Sequence, residues 1–321
     1  MHVLILGGGG FLGRRLAKTL IESGGLSQGE ITHLSLMDTA FPEDMPQDSR
    51  LQAIKSDFSD EKEIREVLQQ QPDVIFHMAA IVSGDAEKNL ELGMKVNFHA
   101  SLQLLDICRS LDYSPRIVFA SSCAVFGGDV SKVIRDDTSP TPLSSYGTQK
   151  AMVELLMNDY SRKGFVDARC LRLPTIAIRP GKPNAATSSF VSSIIREPLY
   201  GKNASCPVPS ETKVWIQSPN RVIQNFIHAA NIDEQKLGND RIFNLPGLTV
   251  SIQEMIGSLE QLSSPEVTKL ISFEPDEFIQ SIVLTWPPHF DTKRAINIGF
   301  VKDASSEEII KSFINEEGIN Y

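Results

Sequence analysis

The sequence predicts an α/β protein, a doubly wound parallel sheet with helices on both faces and a smaller C-terminal lobe. Three observations predict it. Short apolar runs of strand length alternate with longer stretches of helical periodicity through the first half of the chain. A glycine-rich turn joins the first apolar run to the first helical stretch. After Pro174 the rhythm changes, with Pro180, Pro183, Pro198, Pro207, Pro209 and Pro219 interrupting it among polar loops and short helices.

Taken in order, His2–Leu6 is a buried-strand run and Phe11–Ser23 a helix whose Leu12, Leu16, Leu20 and Ile21 share a face. Strands are expected over 31–38 and 51–57, then a helix over 60–71 with Asp60 as its N-cap. The runs DVIFHMAA (73–80) and RIVFASS (116–122) are apolar and of strand length, separated by a long helix near 86–111. A helix over 146–163 and a strand over 168–174 complete the series. Residues 1–175 are therefore assigned to a nucleotide-binding scaffold and 176–321 mostly to a substrate lobe. The run RIFNL (241–245) is expected to rejoin the sheet.

A chain of 321 residues is long enough to bury a core without disulfides or metals. A formal charge of −9 argues against generic binding to nucleic acid or anionic membranes, though not against a small anion in a locally positive pocket. The apolar start, residues 3–6, ends in four glycines and lacks the form of a signal peptide. No run approaches a membrane span. Cys108, Cys123, Cys170 and Cys206 form no CxxC pair and no zinc-type cluster, so no metal is expected. A reducing, cytoplasmic setting is the expectation.

The turn GGGGFLG (7–13) fits GxGxxG at Gly8, Gly10 and Gly13, and GxxGxxG at Gly7, Gly10 and Gly13. A side chain there would block a pyrophosphate, which the helix N-terminus beyond, at Phe11 and Leu12, attracts with free N–H groups. Asp38 closes the second strand 25 residues past Gly13, where an acid would hold ribose hydroxyls. A carboxylate there repels a 2′-phosphate, favouring NAD over NADP. Its alternative role is merely to end a strand. Asp57 and Phe58 follow the third strand and are placed beside the adenine, or else in a turn leading to a helix.

Tyr146 and Lys150 are four apart, on one helix face. A phenol titrates near 10. A neighbouring ammonium stabilises the phenolate and makes it a usable base. A hydroxyl is then wanted to hold the reacting oxygen, and Ser121 and Ser122 stand at a strand end where such sites open.

On the motifs GGGGFLG, HMAA (77–80), ASSCAVFGG (120–128) and YGTQK (146–150), the chain resembles the extended short-chain dehydrogenase/reductase family. The resemblance implies a Rossmann fold, bound NAD, and Ser122, Tyr146 and Lys150 as catalytic residues, the last two also touching the cofactor. It places Asp57 and Phe58 on the adenine side and Ala79, Ala80 and Pro174 beside the nicotinamide. Leu6 stands where the family commonly has threonine, which leaves the backbone cradle untouched. The stretches 82–93, 158–175, 178–190 and 194–202 are similar to members that oxidise a four-carbon sugar acid at C2 with NAD. The loop RPGKPN (179–184) offers Arg179, Lys182 and Asn184 to such an anion. Ser83 and Thr175 are further substrate candidates, with Ser122 and Tyr146. Arg196 is read as structural, and His77 and His99 as packed rather than catalytic. Asn97 is read as scaffold, able to position Lys150 through water. The similarity also implies a homodimer through the helices near 86–111 and at Tyr146. Two other readings remain. A nucleotide-sugar epimerase or dehydratase shares the scaffold, although Cys123 and Ala124 follow Ser122 where dehydratases carry acids. A non-catalytic NAD sensor would tend to lose Tyr146 or Lys150, and both are present.

Overall fold

The first strand, β1 (His2–Leu6), buries Val3, Leu4, Ile5 and Leu6 completely. A strand apolar on both faces belongs inside a parallel sheet covered from both sides. The computed structural model of the protein describes residues 1–129, 131–181 and 185–319. Two compact units divide the chain. The first comprises Met1–Ser122, Ser145–Arg172 and Ile223–Phe243, and the second Cys123–Ser144, Leu173–Val222 and Asn244–Tyr321.

The first unit is built on a seven-stranded sheet. Its further strands are β2 (His33–Asp38), β3 (Leu51–Lys55), β4 (Val74–His77), β5 (Arg116–Ser122), β6 (Asp167–Leu173) and β7 (Ile242–Asn244). Their order is β7-β6-β5-β4-β1-β2-β3. The pairs from β5 through β3 are parallel, with Val3 opposite both Leu34 and Val74. The chain runs outward from β1 to β3 and then crosses to β4 on the other side of β1. That reversal opens a crevice at the carboxyl ends of β1 and β4.

Helix α1 (Phe11–Ser23) buries Leu16, Ala17 and Leu20. Helix α2 (Glu61–Leu68) starts at Asp60, whose side chain accepts from the Lys62 and Glu63 N–H groups. Its Ile64, Val67 and Leu68 join a core with Ile117 and Phe119 of β5. The expected long helix near 86–111 is instead four pieces. They are α3 (Ser83–Lys88), α4 (Leu90–Gly93), a π-helical turn over Met94–His99, and α5 (Ala100–Ser110). The break falls at Asn89 (φ −134°, ψ 85°), whose side chain caps α4 by accepting from the Leu92 N–H. Asparagine competes for backbone groups in this way, and a periodicity count does not register it. Helix α6 (Ser145–Arg162) lies next, with Val153 and Met157 in the same core. Strand ends differ from the expected bounds by up to three residues. Residues 78–80 continue past β4 as loop, which frees them for the crevice.

In the second unit Lys213–Gln217 pairs antiparallel with Leu248–Ser251 and parallel with Thr175–Ile176. Helices α7 (Phe190–Leu199) and α9 (Ile252–Leu262) pack Val191, Ile194, Ile195, Met255 and Leu259 into its core. Helix α8 (Pro219–Asn231) follows in the chain and belongs to the first unit from Ile223 onward. Its proline occupies the first helical position, where a missing N–H costs nothing. Pro198 likewise lies inside α7, so these two prolines do not end the helices that carry them.

Candidate active site

The crevice is lined first by the glycine turn. Gly7 has φ +84°, and a Cβ there would lie 2.7 Å from the Ala79 nitrogen. A Cβ on Gly13 would lie 2.2 Å from the Gly7 carbonyl oxygen. Both positions demand glycine, because α1 and the β4 loop approach the turn at backbone distance. The Gly7 and Gly8 N–H groups donate to the Met37 carbonyl, at 2.9 and 3.2 Å. The Gly9 N–H donates to Asp38 Oδ2 at 3.0 Å, which ties the end of β2 to the turn. Helix α1 begins at Gly10 without a side-chain cap. Its first N–H groups, at Phe11, Leu12 and Gly13, therefore face outward with the positive end of the helix dipole. This combination fits a dinucleotide: a side-chain-free turn, an uncapped helix start and an acid at the neighbouring strand end.

Beyond β4, Ala79 and Ala80 are half-buried, and Ser83 is buried at the start of α3. Ile81 is clamped from both sides by Asn97. The Ile81 N–H donates to Asn97 Oδ1 at 2.8 Å, and Asn97 Nδ2 donates to the Ile81 carbonyl at 3.0 Å. The same Nδ2 donates to Gln149 Oε1 at 2.8 Å, linking this loop to α6 directly beside Lys150. Asp57 accepts from the Ser59 N–H and hydroxyl and pairs with Lys95 at 3.8 Å. Phe58 is buried against the His77 ring, 5.0 Å between centroids.

Tyr146 and Lys150 occupy one face of α6. Lys150 is 1% exposed. Its Nζ lies 4.6 Å from the Phe119 ring centroid and 5.6 Å from the Tyr146 ring centroid. Burial pushes its ammonium down to about 7, with Glu154 and Cys170 acting in the opposite sense. Ser121 donates to Glu154 of α6, and the neighbouring Ser122 stands half-buried at the strand end. His77 is fully buried and bonded to Ser101 Oγ at 2.8 Å, and burial pushes it down to about 3. It stays neutral and packed.

In the second unit, Pro174 and Thr175 are buried around its short first strand. The Arg179 N–H donates to Ser192 Oγ at 3.0 Å. The Arg179 carbonyl accepts from Arg196 Nη1 at 2.6 Å, so Arg196 acts on the backbone of that loop. Lys182 and Asn184 lie outside the described residues. Two polar groups escaped the sequence reading. One is the Asn97–Gln149 bridge. The other is a buried network in which Arg172 donates through Nε and Nη2 to Glu154, at 2.7–3.1 Å. The signal was the spacing: Glu154 follows Lys150 by four residues on the same helix face. Among the described residues, no group of His, Cys, Asp or Glu could hold a metal ion.

A glycine cradle at a strand-order reversal, with a tyrosine–lysine pair beside it, defines a nucleotide-dependent enzyme of the Rossmann class. Residues 3–230 match the NAD dependent epimerase/dehydratase family, and the chain belongs to it. It is 45% identical over 323 residues to a D-erythronate dehydrogenase of Cupriavidus necator, covering 99% of each chain. It is 46% identical to a D-erythronate dehydrogenase of Haemophilus influenzae, covering 98% of this chain and 99% of that one. A solved structure described as a nucleoside-diphosphate-sugar epimerase from Agrobacterium tumefaciens superposes with a TM-score of 0.94 at 42% identity, covering 100% of this chain and 95% of that one. These relationships make the protein an NAD-dependent oxidoreductase of the extended short-chain type. No helix among the described residues is long and apolar enough to cross a membrane.

Proposed function

We propose that the protein oxidises D-erythronate, a four-carbon sugar acid, to 2-dehydro-D-erythronate. The observation that carries this reading is near-full-length likeness to two D-erythronate dehydrogenases, in a chain with Tyr146 and Lys150 on one helix face. Tyr146 takes the proton of the C2 hydroxyl, and Ser122 donates a hydrogen bond to that oxygen. Lys150 supplies the positive charge that favours the phenolate. The C2 hydrogen leaves with its electron pair, and the C–O bond becomes a carbonyl. When bound, NAD accepts that hydride. Gly7, Gly10, Phe11, Leu12 and Gly13 are proposed to hold its pyrophosphate and Asp38 its adenosine ribose. Asp57 and Phe58 are assigned to the adenine side, and Ala79, Ala80 and Pro174 to the nicotinamide side. Ser83, Thr175, Arg179 and Asn184 are assigned to the substrate by residue type, Arg179 suiting the carboxylate.

NADH formation across a panel of four-carbon and five-carbon aldonates tests the reading. Turnover of D-erythronate above the other acids is the expected result, and no NADH with any aldonate overturns it.

The likeness to a structure described as a nucleoside-diphosphate-sugar epimerase favours a second reading, epimerisation on the same scaffold. Stoichiometric NAD retained through purification, without net NADH from sugar acids, would support that reading instead. We also propose a cytoplasmic homodimer. Leu90 and Leu92 of α4 and Leu155 of α6 are 58%, 39% and 67% exposed, as a buried helical interface would require. Light scattering at micromolar concentration checks it, and a monomer mass would exclude the dimer.

A further inference from the structure

Residues 285–291 form a strap within the second unit. The Thr285 carbonyl accepts from the Gly128 N–H at 3.2 Å, and the His289 carbonyl from the Ile134 N–H at 2.8 Å. The Asp291 N–H donates back to the Ile134 carbonyl at 2.7 Å. The Pro288 carbonyl accepts from the Thr249 hydroxyl at 2.6 Å. Pro287 and Pro288 are buried, and their fixed φ stiffens the strap. The strap thus ties the chain that follows Ser122 to the small sheet of the second unit.

Phe290 is the aromatic centre of this strap. Its ring stacks on Trp215, 5.1 Å between centroids at 23°, and meets Phe126 edge-on at 5.8 Å and 66°. Phe126 is 1% exposed and closes the 3₁₀ turn over Cys123–Val125, its N–H donating to the Cys123 carbonyl at 3.1 Å. That turn begins at the residue after Ser122. A single 3₁₀ turn has poor hydrogen-bond geometry, so its placement depends on what its side chains pack against. On the far side of Trp215 the packing continues. A Cβ on Gly247 would lie 2.9 Å from Trp215 Cε2 and 3.1 Å from Pro174 Cγ, so the indole and the proline ring both close on that glycine. A continuous stack therefore runs from the turn after Ser122, through Phe126, Phe290 and Trp215, to Gly247 and Pro174.

We propose that Phe290 is a positioning residue for Ser122: its ring holds Phe126 against the Trp215 indole, and Phe126 in turn fixes the turn that leaves the end of β5. The inference rests on the reading of Ser122 as the hydroxyl that holds the reacting oxygen. Without the Phe290 ring, neither Phe126 nor Trp215 fills the gap without moving, because packed side chains relax only in part. A displacement of about 1 Å at a reacting group costs up to about a hundredfold in rate. The strap near the C-terminus thereby acts on the reaction through packing.

The test pairs amide hydrogen exchange of the cofactor-free protein with steady-state kinetics, on Phe290→Ala and Phe290→Tyr. In Phe290→Ala the amides over 120–128 are expected to exchange at least about tenfold faster, while those of the glycine turn (7–13) and of α7 keep the parent rates. With D-erythronate, kcat is expected to fall at least about tenfold and the KM for NAD to stay within about twofold. Phe290→Tyr, which keeps the ring, should restore both. Unchanged exchange over 120–128 in folded Phe290→Ala overturns the proposal. So does faster exchange with the parent kcat, or an equal acceleration in α7, which would make Phe290 a general support of the unit. If Phe290→Ala fails to fold, Phe290→Leu keeps much of the volume without the stacking face and is held to the same criteria. The exchange measurement uses no substrate, so its failure is distinct from a failure of the sugar-acid reading.

Discussion

Replacing Lys150 by methionine should make the protein more stable at neutral pH while abolishing its activity. The ammonium normally titrates at 10.5, and burial pushes it down to about 7. Between those two pH values the unfolded chain holds a proton that the folded chain lacks. Stability therefore rises with pH across this window, and below pH 7 the folded protein bears the whole cost of the buried charge. Three and a half pH units at about 1.4 kcal/mol each give about 5 kcal/mol as the upper limit. Methionine fills similar volume without charge. Glu154 keeps Arg172 and Ser121 but loses the ammonium, which returns part of the gain. A net stabilisation of about 2–4 kcal/mol at pH 6.5 is expected, shrinking towards zero at pH 10.5. The assay is guanidinium unfolding of cofactor-free protein at both pH values, followed by far-ultraviolet circular dichroism. Tryptophan emission would report the wrong region, because Trp215 and Trp286 both belong to the second unit. A Lys150→Met protein less stable than the parent at pH 6.5, or a gain equal at both pH values, would refute the reasoning.

Tyr146→Phe should still bind NAD, checked by fluorescence titration, and lose at least about a thousandfold in kcat, the scale of a missing general base. Gly13→Ala puts a methyl 2.2 Å from the Gly7 carbonyl oxygen, so it should cost about 1–3 kcal/mol in thermal unfolding and weaken NAD binding measured by calorimetry. His77 is pushed down to about 3 by burial, so the unfolded chain takes up a proton below about pH 6.5 that the folded chain refuses. Stability should therefore fall by about 1.4 kcal/mol per pH unit from that one group on acidification, and His77→Phe should flatten the slope in unfolding curves at pH 4–7. Asp38→Ser removes the carboxylate at the end of β2, and the ratio of kcat/KM for NADP over NAD should rise at least about tenfold.

Much of the first unit was legible because its signals are local. A four-residue glycine run between an apolar strand and a helix has one common use, and Gly7 and Gly13 show why, since neither position has room for a Cβ. Strand β5 was read with its observed bounds, because each residue from Ile117 to Ser121 is buried and the run is uniform. The broken helix over 83–110 was not legible. Its interruption depends on one asparagine side chain folding back on the Leu92 N–H, within a stretch whose apolar spacing still looks helical. The Glu154 network was missed for a different reason. Its partners Ser121 and Arg172 lie 33 and 18 residues away, and only strand pairing brings them under the helix. A buried acid looks like any surface acid until the opposing strand is known.

Helix α6 would be misjudged by its composition. A helix that buries Lys150 and Glu154 together with Gln149 is a poor amphipathic helix by pattern. Stability alone would replace those side chains with leucine or methionine, as the Lys150→Met prediction states. These groups instead meet specific neighbours: the Gln149 Oε1 meets Asn97, Glu154 meets Arg172 and Ser121, and Lys150 meets the Phe119 and Tyr146 rings. Such matching fixes the helix in rotation and height against β5 and β6, since a slip of one residue would leave several charges buried and unpaired. The polar face that weakens α6 is thus also what holds Tyr146 in register with the end of β5.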